Sequence, residues 1–554
     1  MRRSVAALSV CLVLAPLAVG LTGCGAADSR MMPSSPRSSN EAYAGGAYPQ
    51  QPSYAGAQGY PGAPPPSVAP MPGMPGDMPA APVAIAKPAA EPVGTEHFQD
   101  HGVNPVVDAS RDRLSTFAID VDTASYTISR RKLTEGTLPP FASVRVEEYV
   151  NFFRYGYEAP AQKPFAVYTD AAPSPFTPGH HLLRVGLQGK KIQASERTPV
   201  HLVYLVDTSG SMQGTDRMDL AKKSLRTLTD KLKTGDTVAI CTYAGGVEKI
   251  LDPTGIDQRE RIVAAIDRLR AGGSTAMGDG IAMAYDLAKK TLVKNHVNRV
   301  VVLSDGDANV GRTSGEELKK IIRGHRGEGI TLSTVGFGSG NYKDAMMEQL
   351  ADSGDGNYTY IDSEEQSRRV FGEQVDGLLQ VIARDVKIQV ELDPTVVATY
   401  RLLGYENRDI ADKDFRNDKV DAGEVGSGHT VTAMYDVVLK TTDKSPVTVR
   451  VRHKAPTGSE RAEESVFPMP VANIAKSFEG ASPDFRFAAS VAGFAEVLRK
   501  SPHAAEWRLD KIATLAQGAS QGRSERLELV SLVNRAAELS GQKKADGTGV
   551  AVAH

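Results

Sequence analysis

A chain of 554 residues has room for several domains and large cores. Lys and Arg (64) nearly balance Asp and Glu (66), a formal net charge of −2, so bulk charge draws the chain neither to nucleic acid nor to an anionic membrane surface. Three cysteines exclude a disulfide-built scaffold.

The chain opens with a targeting signal. Arg2 and Arg3 form its basic end, and Val5 to Leu21 its apolar core. Leu21-Thr22-Gly23-Cys24 resembles the bacterial lipoprotein cleavage box, which implies removal of residues 1–23 and lipid attachment to Cys24. No later stretch is long and apolar enough to span a bilayer, so the reading is a lipid-anchored protein of the cell envelope. Gly25, where an Asp would favour retention in the inner membrane, points to the outer one. Cys11 leaves with the signal. Cys241, in the strand-like stretch Thr237–Tyr243, reads as a small core residue.

Residues 24–95 are rich in Pro, Gly, Ala and Ser, as in Tyr60-Pro61-Gly62-Ala63-Pro64-Pro65-Pro66. Such a composition cannot bury a core and predicts a disordered tether. Residues 114–195 follow. Ser115–Tyr126 reads as a strand, Thr127–Glu135 as a helix and Val144–Phe153 as a short amphipathic helix. Phe165–Thr169 and His181–Leu187 read as strands. Within the first of these, Phe117-Ala118-Ile119-Asp120-Val121-Asp122-Thr123 looks like the nucleophile motif of haloacid dehalogenase-type phosphatases, one residue short and without its downstream partners. The competing reading is a strand end with an Asp/Thr helix cap.

Residues 198–384 alternate strands with helices. The strands are Val200–Val206, Thr237–Tyr243, Arg299–Leu303, Ile330–Val335 and Asn357–Ile361. The helical stretches lie near 217–232, 257–270, 278–293, 314–325, 343–352 and 364–383. The pattern predicts an α/β domain, a doubly wound parallel sheet covered on both faces. The run Val203-Tyr204-Leu205-Val206 ends in Asp207-Thr208-Ser209-Gly210-Ser211, at the strand end where open α/β sheets place ligands. Gly272-Gly273-Ser274-Thr275 adds a hydroxyl in a Gly-rich turn, and Val302-Leu303-Ser304-Asp305 a second strand ending in a carboxylate. Asp207, Ser209, Ser211, Thr275 and Asp305 offer only oxygen, which suits a hard cation such as Mg²⁺.

This constellation resembles the von Willebrand factor A (VWA) family, whose metal-ion-dependent adhesion site is written D-x-S-x-S, then a Thr, then an Asp after a later strand. The resemblance implies that the five residues hold Mg²⁺, or Mn²⁺ or Ca²⁺, and that the ion accepts an acidic side chain from a protein partner. Asp279 and Asp307 flank the site and would add negative potential or outer hydrogen bonds. No His lies in these stretches and no base is evident, so the reading is a binding protein, not an enzyme. Two alternatives stand beside it: an envelope-assembly scaffold whose metal only stiffens loops, and a phosphatase using Asp120 and Asp122. The Gly-rich Gly336–Asn341 stretch lacks a P-loop Lys, and His429 reads as an ordinary turn histidine.

Residues 385–470 turn to β pattern, with clean alternation in Val386–Val390 and Val447–Val451. We expect them to pair with residues 114–195 into one sandwich into which the α/β domain is inserted. Residues 482–540 are helical. Phe487, Val491, Phe494 and Leu498 form one apolar face, and Leu529, Leu532, Val533 and Ala536 another. The flanking segments resemble those of a group of bacterial VWA lipoproteins.

Overall fold

A computed structural model describes residues 98–119, 122–193, 195–274, 277–306, 315–338, 344–456 and 461–542. All lie in one unit, Val83–His554. The signal, Cys24, the tether, Asp120, Thr275 and Asp307 lie outside the described residues. Among the described residues, no helix is long and apolar enough to cross a membrane.

The N-terminal segment supplies β1 (Val107–Asp108), β2 (Leu114–Ala118), α1 (Ala124–Thr134), α2 (Val146–Phe152), β3 (Phe165–Pro173) and β4 (His181–Gly189). The predicted strand over 115–126 is therefore too long. It stops at Ala118, and Tyr126 lies in α1, fully buried among Tyr149, Phe152 and Phe153. Helix α2 is not amphipathic in the expected sense, because Glu147 and Glu148 are as buried as their apolar neighbours. Their carboxylates accept backbone N–H groups of Tyr405 and Ser125, both at 2.9 and 2.8 Å respectively. The charge is thus spent on fixing chain crossings rather than on solvation.

The central domain runs β5 (Val200–Asp207), α3 (Leu220–Asp230), β6 (Thr237–Tyr243), β7 (Val247–Gly255), α4 (Arg259–Arg268), α5 (Met277–Lys290), β8 (Val297–Ser304), α6 (Gly315–Gly327), β9 (Ile330–Phe337), α7 (Asp344–Ser353), β10 (Tyr358–Ile361), α8 (Glu364–Ser367) and α9 (Val375–Leu379). The strand order is β10-β9-β8-β5-β6-β7, with β5 at the centre and every residue of it buried. Continuous burial explains its unbroken apolar run, since helices cover both faces. All neighbours pair in parallel except β7, which runs antiparallel to β6. The sheet is therefore mixed, not wholly parallel. The strand β7 escapes the sequence pattern because it is a half-exposed edge carrying Lys249 and Asp252, with Pro253 at an irregularity in the pairing. Charge and proline suit an edge and not a central strand.

A second correction falls at the end of this domain. The helix predicted over 364–383 is three short pieces, α8, a wide π-turn over Arg368–Glu373 and α9. Phe371, Val375 and Leu379 face the domain core, but Ile382 belongs to the next strand and packs in a different core.

That strand is β11 (Val381–Leu392). It is followed by β12 (Val397–Leu403), β13 (Val425–Gly426), β14 (Thr430–Leu439), β15 (Val447–Lys454), β16 (Glu463–Pro468), α10 (Pro483–Leu498), α11 (Leu509–Ala519) and α12 (Ser524–Leu539). One sheet is ordered β1-β12-β14-β4-β3. The other is β13-β11-β15-β16, with β2 added along β11. Both sheets mix strands from before and after the central domain: Val431 sits opposite Leu187, and Ile388 opposite Phe117. The two flanks thus form one sandwich around the insertion. In β15, Val447, Val449 and Val451 point inward while Arg450 and Arg452 bind Glu391 and Asp418 outside. This is the period-two alternation of a sheet with one solvated face.

The C-terminal helices pack on α2 around Phe487, Val491, Phe494, Leu529 and Val533. Helix α10 starts at Ser482, whose hydroxyl accepts the Phe485 N–H at 3.1 Å, with Pro483 in the first turn where its missing N–H costs nothing. Ser482→Ala should lower unfolding stability by about 1 kcal/mol in a urea titration. An unchanged midpoint would mean that packing alone sets the start of the helix. The thiol of Cys241 is buried in the sheet, and burial pushes it up to about 12, so it is inert at neutral pH.

Candidate metal centre

Three chain segments converge at the carboxyl ends of β5 and β8. Asp207 closes β5 and is wholly buried. One of its carboxylate oxygens accepts the Ser209 N–H at 2.9 Å, which bends the chain so that Ser209 faces back toward the carboxylate. The other accepts the Ser304 hydroxyl at 2.9 Å from the end of β8. Ser304 in turn accepts the Gly306 N–H at 3.0 Å, and Gly306 has φ of 75°, a left-handed turn suited to glycine. The hydroxyls of Ser209 and Ser211 lie 2.9 Å apart. Asp305 follows Ser304 and is 7 % exposed.

The loop that leads to Thr275 is held against this group. Gly210 N–H donates to Gly273 O at 3.0 Å and Gly272 N–H to Thr208 O at 2.7 Å. Any side chain at Gly273, whose φ is 98°, would crowd the backbone of Gly245. Asp207, Ser209 and Ser211 are therefore in direct contact, Asp305 stands beside them, and the glycines just before Thr275 touch the loop that carries them. Asp279 is exposed in the first turn of α5.

Burial pushes the Asp207 carboxyl above its ordinary range, and the charge of Asp305 pushes it further, against the bonds from Ser209 and Ser304. Below them Tyr243 is buried at the end of β6. Burial and the neighbouring Asp207 hold its phenol well above the ordinary range, so it stays neutral. Two carboxylates and a pair of touching hydroxyls form an oxygen-only donor set that a hard dication fits, and the set is too poor in charge to saturate one. Such an ion would be held by Asp207, Ser209, Ser211 and Asp305, and would supply a Lewis-acidic point able to take a further oxygen ligand.

Two contributors are absent from the sequence pattern. Ser304 lies in the run that ends in Asp305 and carries no role in the sequence pattern, although a hydroxyl next to the carboxylate is the signal. Arg217, in the π-turn Thr215–Asp219, donates to the Ser211 carbonyl at 2.6 Å and fixes the far end of the loop. No spacing rule announces it.

Asp120, the first carboxylate of the phosphatase-like motif, lies outside the described residues. Asp122 is buried, accepts the Tyr358 N–H at 3.0 Å and pairs with Arg408 at 3.5 Å, which ties the N-terminal segment to β10. Thr123 occupies the cap position of α1 without a side-chain cap bond. His429 accepts the Gly426 N–H through Nδ1, and burial holds it down to about 4, so it is a neutral turn histidine.

Residues 202–308 match the family model of the von Willebrand factor type A domain, and residues 92–184 a model described as von Willebrand factor. Residues 377–539 match that of the C-terminal part of "Uncharacterized protein YfbK". YfbK of Escherichia coli (strain K12) is 36% identical over 480 residues, 81% of this chain and 82% of that one. The chain belongs to the YfbK family of VWA proteins. Similarity over a shorter stretch extends further, as with inter-alpha-trypsin inhibitor heavy chain H3 of Bos taurus, 26% identical over 204 residues, 35% of this chain and 22% of that one. Among solved structures, a von Willebrand factor type A protein from Catenulispora acidiphila is similar at a TM-score of 0.40 and 16% identity, covering 68% of this chain and 91% of that one. In this chain the domain that carries Asp207 is joined to a sandwich and a helical layer.

Proposed function

We propose that the protein is a lipid-anchored cell-envelope receptor that binds a protein partner through a divalent cation. Asp207, Ser209, Ser211, Thr275 and Asp305 hold the ion, Mg²⁺ first and Mn²⁺ or Ca²⁺ as substitutes, and an acidic side chain of the partner completes its shell. The observation that carries this reading is the pairing of buried Asp207 with the charge of Asp305 beside two hydroxyls 2.9 Å apart. Two carboxylates placed this close favour a cation between them, and among the described residues no base stands at the site. Cys24 carries the lipid, and residues 25–95 tether the folded part to the outer membrane.

The test is crosslinking capture from envelope fractions with the lipidated chain, in Mg²⁺ and in excess chelator. A partner recovered in Mg²⁺ and lost on chelation, with circular dichroism unchanged, is expected. The same partner recovered undiminished in chelator would contradict the metal-bridged mode.

A further inference from the structure

A second polar cavity, distinct from the cation site, lies where the central domain meets both flanks. It holds about 60 Å³ and is lined by Arg154 from the end of α2, by Asn357, Gln366, Arg369 and Gln374 from β10 and the turns after it, and by Thr430 at the start of β14. None of the residues lining it is a carboxylate. That is unusual beside its neighbour, a cavity of about 400 Å³ that shares Asn357 and is lined by Asp122, Asp355, Asp421 and Glu424. The acidic cavity has its own cations: Arg326 bridges Asp355 and Asp421 at 2.7 and 2.5 Å. The basic one has no carboxylate in its lining. Among the described residues neither Arg154 nor Arg369 pairs with a carboxylate.

Arg369 is stacked on the Phe152 ring, 3.8 Å from its centre, and donates to the Phe152 carbonyl. Both contacts are with neutral groups. Burial, then Arg130 and Arg154, lower its guanidinium to about 10, against the opposing pull of Tyr126 and Glu525. Gln366 is 2 % exposed and lines the cavity. The Arg369 guanidinium and the Gln366 amide both border space that a ligand rich in acceptor oxygens can fill. The space exceeds the about 30 Å³ share of one water in the liquid and suits a small anion. Guanidinium forks match the oxygens of a tetrahedral anion two at a time, and amide and hydroxyl donors complete the shell.

We propose that this cavity binds one inorganic tetrahedral oxyanion, phosphate or sulfate, which bridges the central domain to the N-terminal segment and the sandwich. The site does not depend on the cation reading and survives its failure.

Isothermal titration of the chain from residue 24 onward, with sodium phosphate and then sulfate at ionic strength fixed with NaCl, tests it. One saturable site per chain is expected, with affinity at least tenfold weaker in Arg369→Gln and in Arg154→Gln. Arg154 is exposed, so its variant folds even where the Arg369 change does not. Absence of saturable binding to the native chain would overturn the proposal, as would undiminished binding by Arg154→Gln.

Discussion

Asp207→Asn should abolish divalent-cation binding while leaving the fold intact. The amide keeps the shape of the carboxylate and can still accept the Ser209 N–H, so the bend after β5 survives. The Ser304 oxygen, which now donates to the carboxylate, can turn to accept from the new amide. What disappears is one of two charges on which a dication depends. Removing even an outer-shell partner costs roughly 10–100-fold in metal affinity, so losing a direct carboxylate ligand should cost more. Without metal, the variant should melt no lower than the native chain, because the repulsion between Asp207 and Asp305 is relieved. Calorimetric Mg²⁺ titration and a thermal scan in chelator check both halves. Native-like Mg²⁺ affinity in the variant would remove Asp207 from the site.

Glu496→Ala should destabilise the protein more than any surface change, by about 3–5 kcal/mol in urea unfolding. Glu496 is fully buried in α10. It accepts from Arg401 of β12 at 2.9 Å and from Arg499, which also reaches Glu406 at 2.8 Å. Arg401 is 1 % exposed, so alanine leaves a buried guanidinium without its counter-ion exactly where the sandwich meets the helical layer. The same cluster sets an acid limit. Burial alone would raise the Glu496 carboxyl, but Arg499 and Arg401 overcome that and hold it down to about 2 against an ordinary 4.5. A carboxyl whose pKa is depressed by folding stabilises the folded state above its unfolded value. Its contribution is therefore full above about pH 4.5 and fades as the pH falls toward 2. Native stability should drop across that window, and the drop should be smaller in Glu496→Gln. Parallel pH profiles would show that other carboxylates dominate acid unfolding.

How far the sequence reaches differs from element to element. β5 is legible because burial on both faces demands an unbroken run, Val200 to Val206, and its end is marked by the first carboxylate. The sandwich is legible from Val447, Val449 and Val451, whose spacing records one wet face. β7 is not legible, since an exposed edge pays no apolar signature. Nor is the boundary near 380: Ile382 continues the helical spacing of Phe371, Val375 and Leu379 although it lies in β11, where Val381 pairs with Gly426. In the site, Asp207, Ser209 and Ser211 follow from alternation at a strand end. Asp305 follows from the second strand end. Arg217 and the buried position of Tyr243 depend on chain crossings that no local spacing encodes. The arginine-lined cavity is of the same kind, assembled from residues more than 200 positions apart, Arg154 and Arg369.

The central claim is a single dication held by oxygen at the ends of β5 and β8. Anomalous diffraction from crystals of the folded part grown with Mn²⁺ addresses it without reference to any partner. One strong peak is expected within about 2.0–2.3 Å of the Ser209 and Ser211 hydroxyls, with Thr275 turned toward it. A peak in the acidic cavity by Asp355 and Asp421 instead, or none at Asp207, would contradict it.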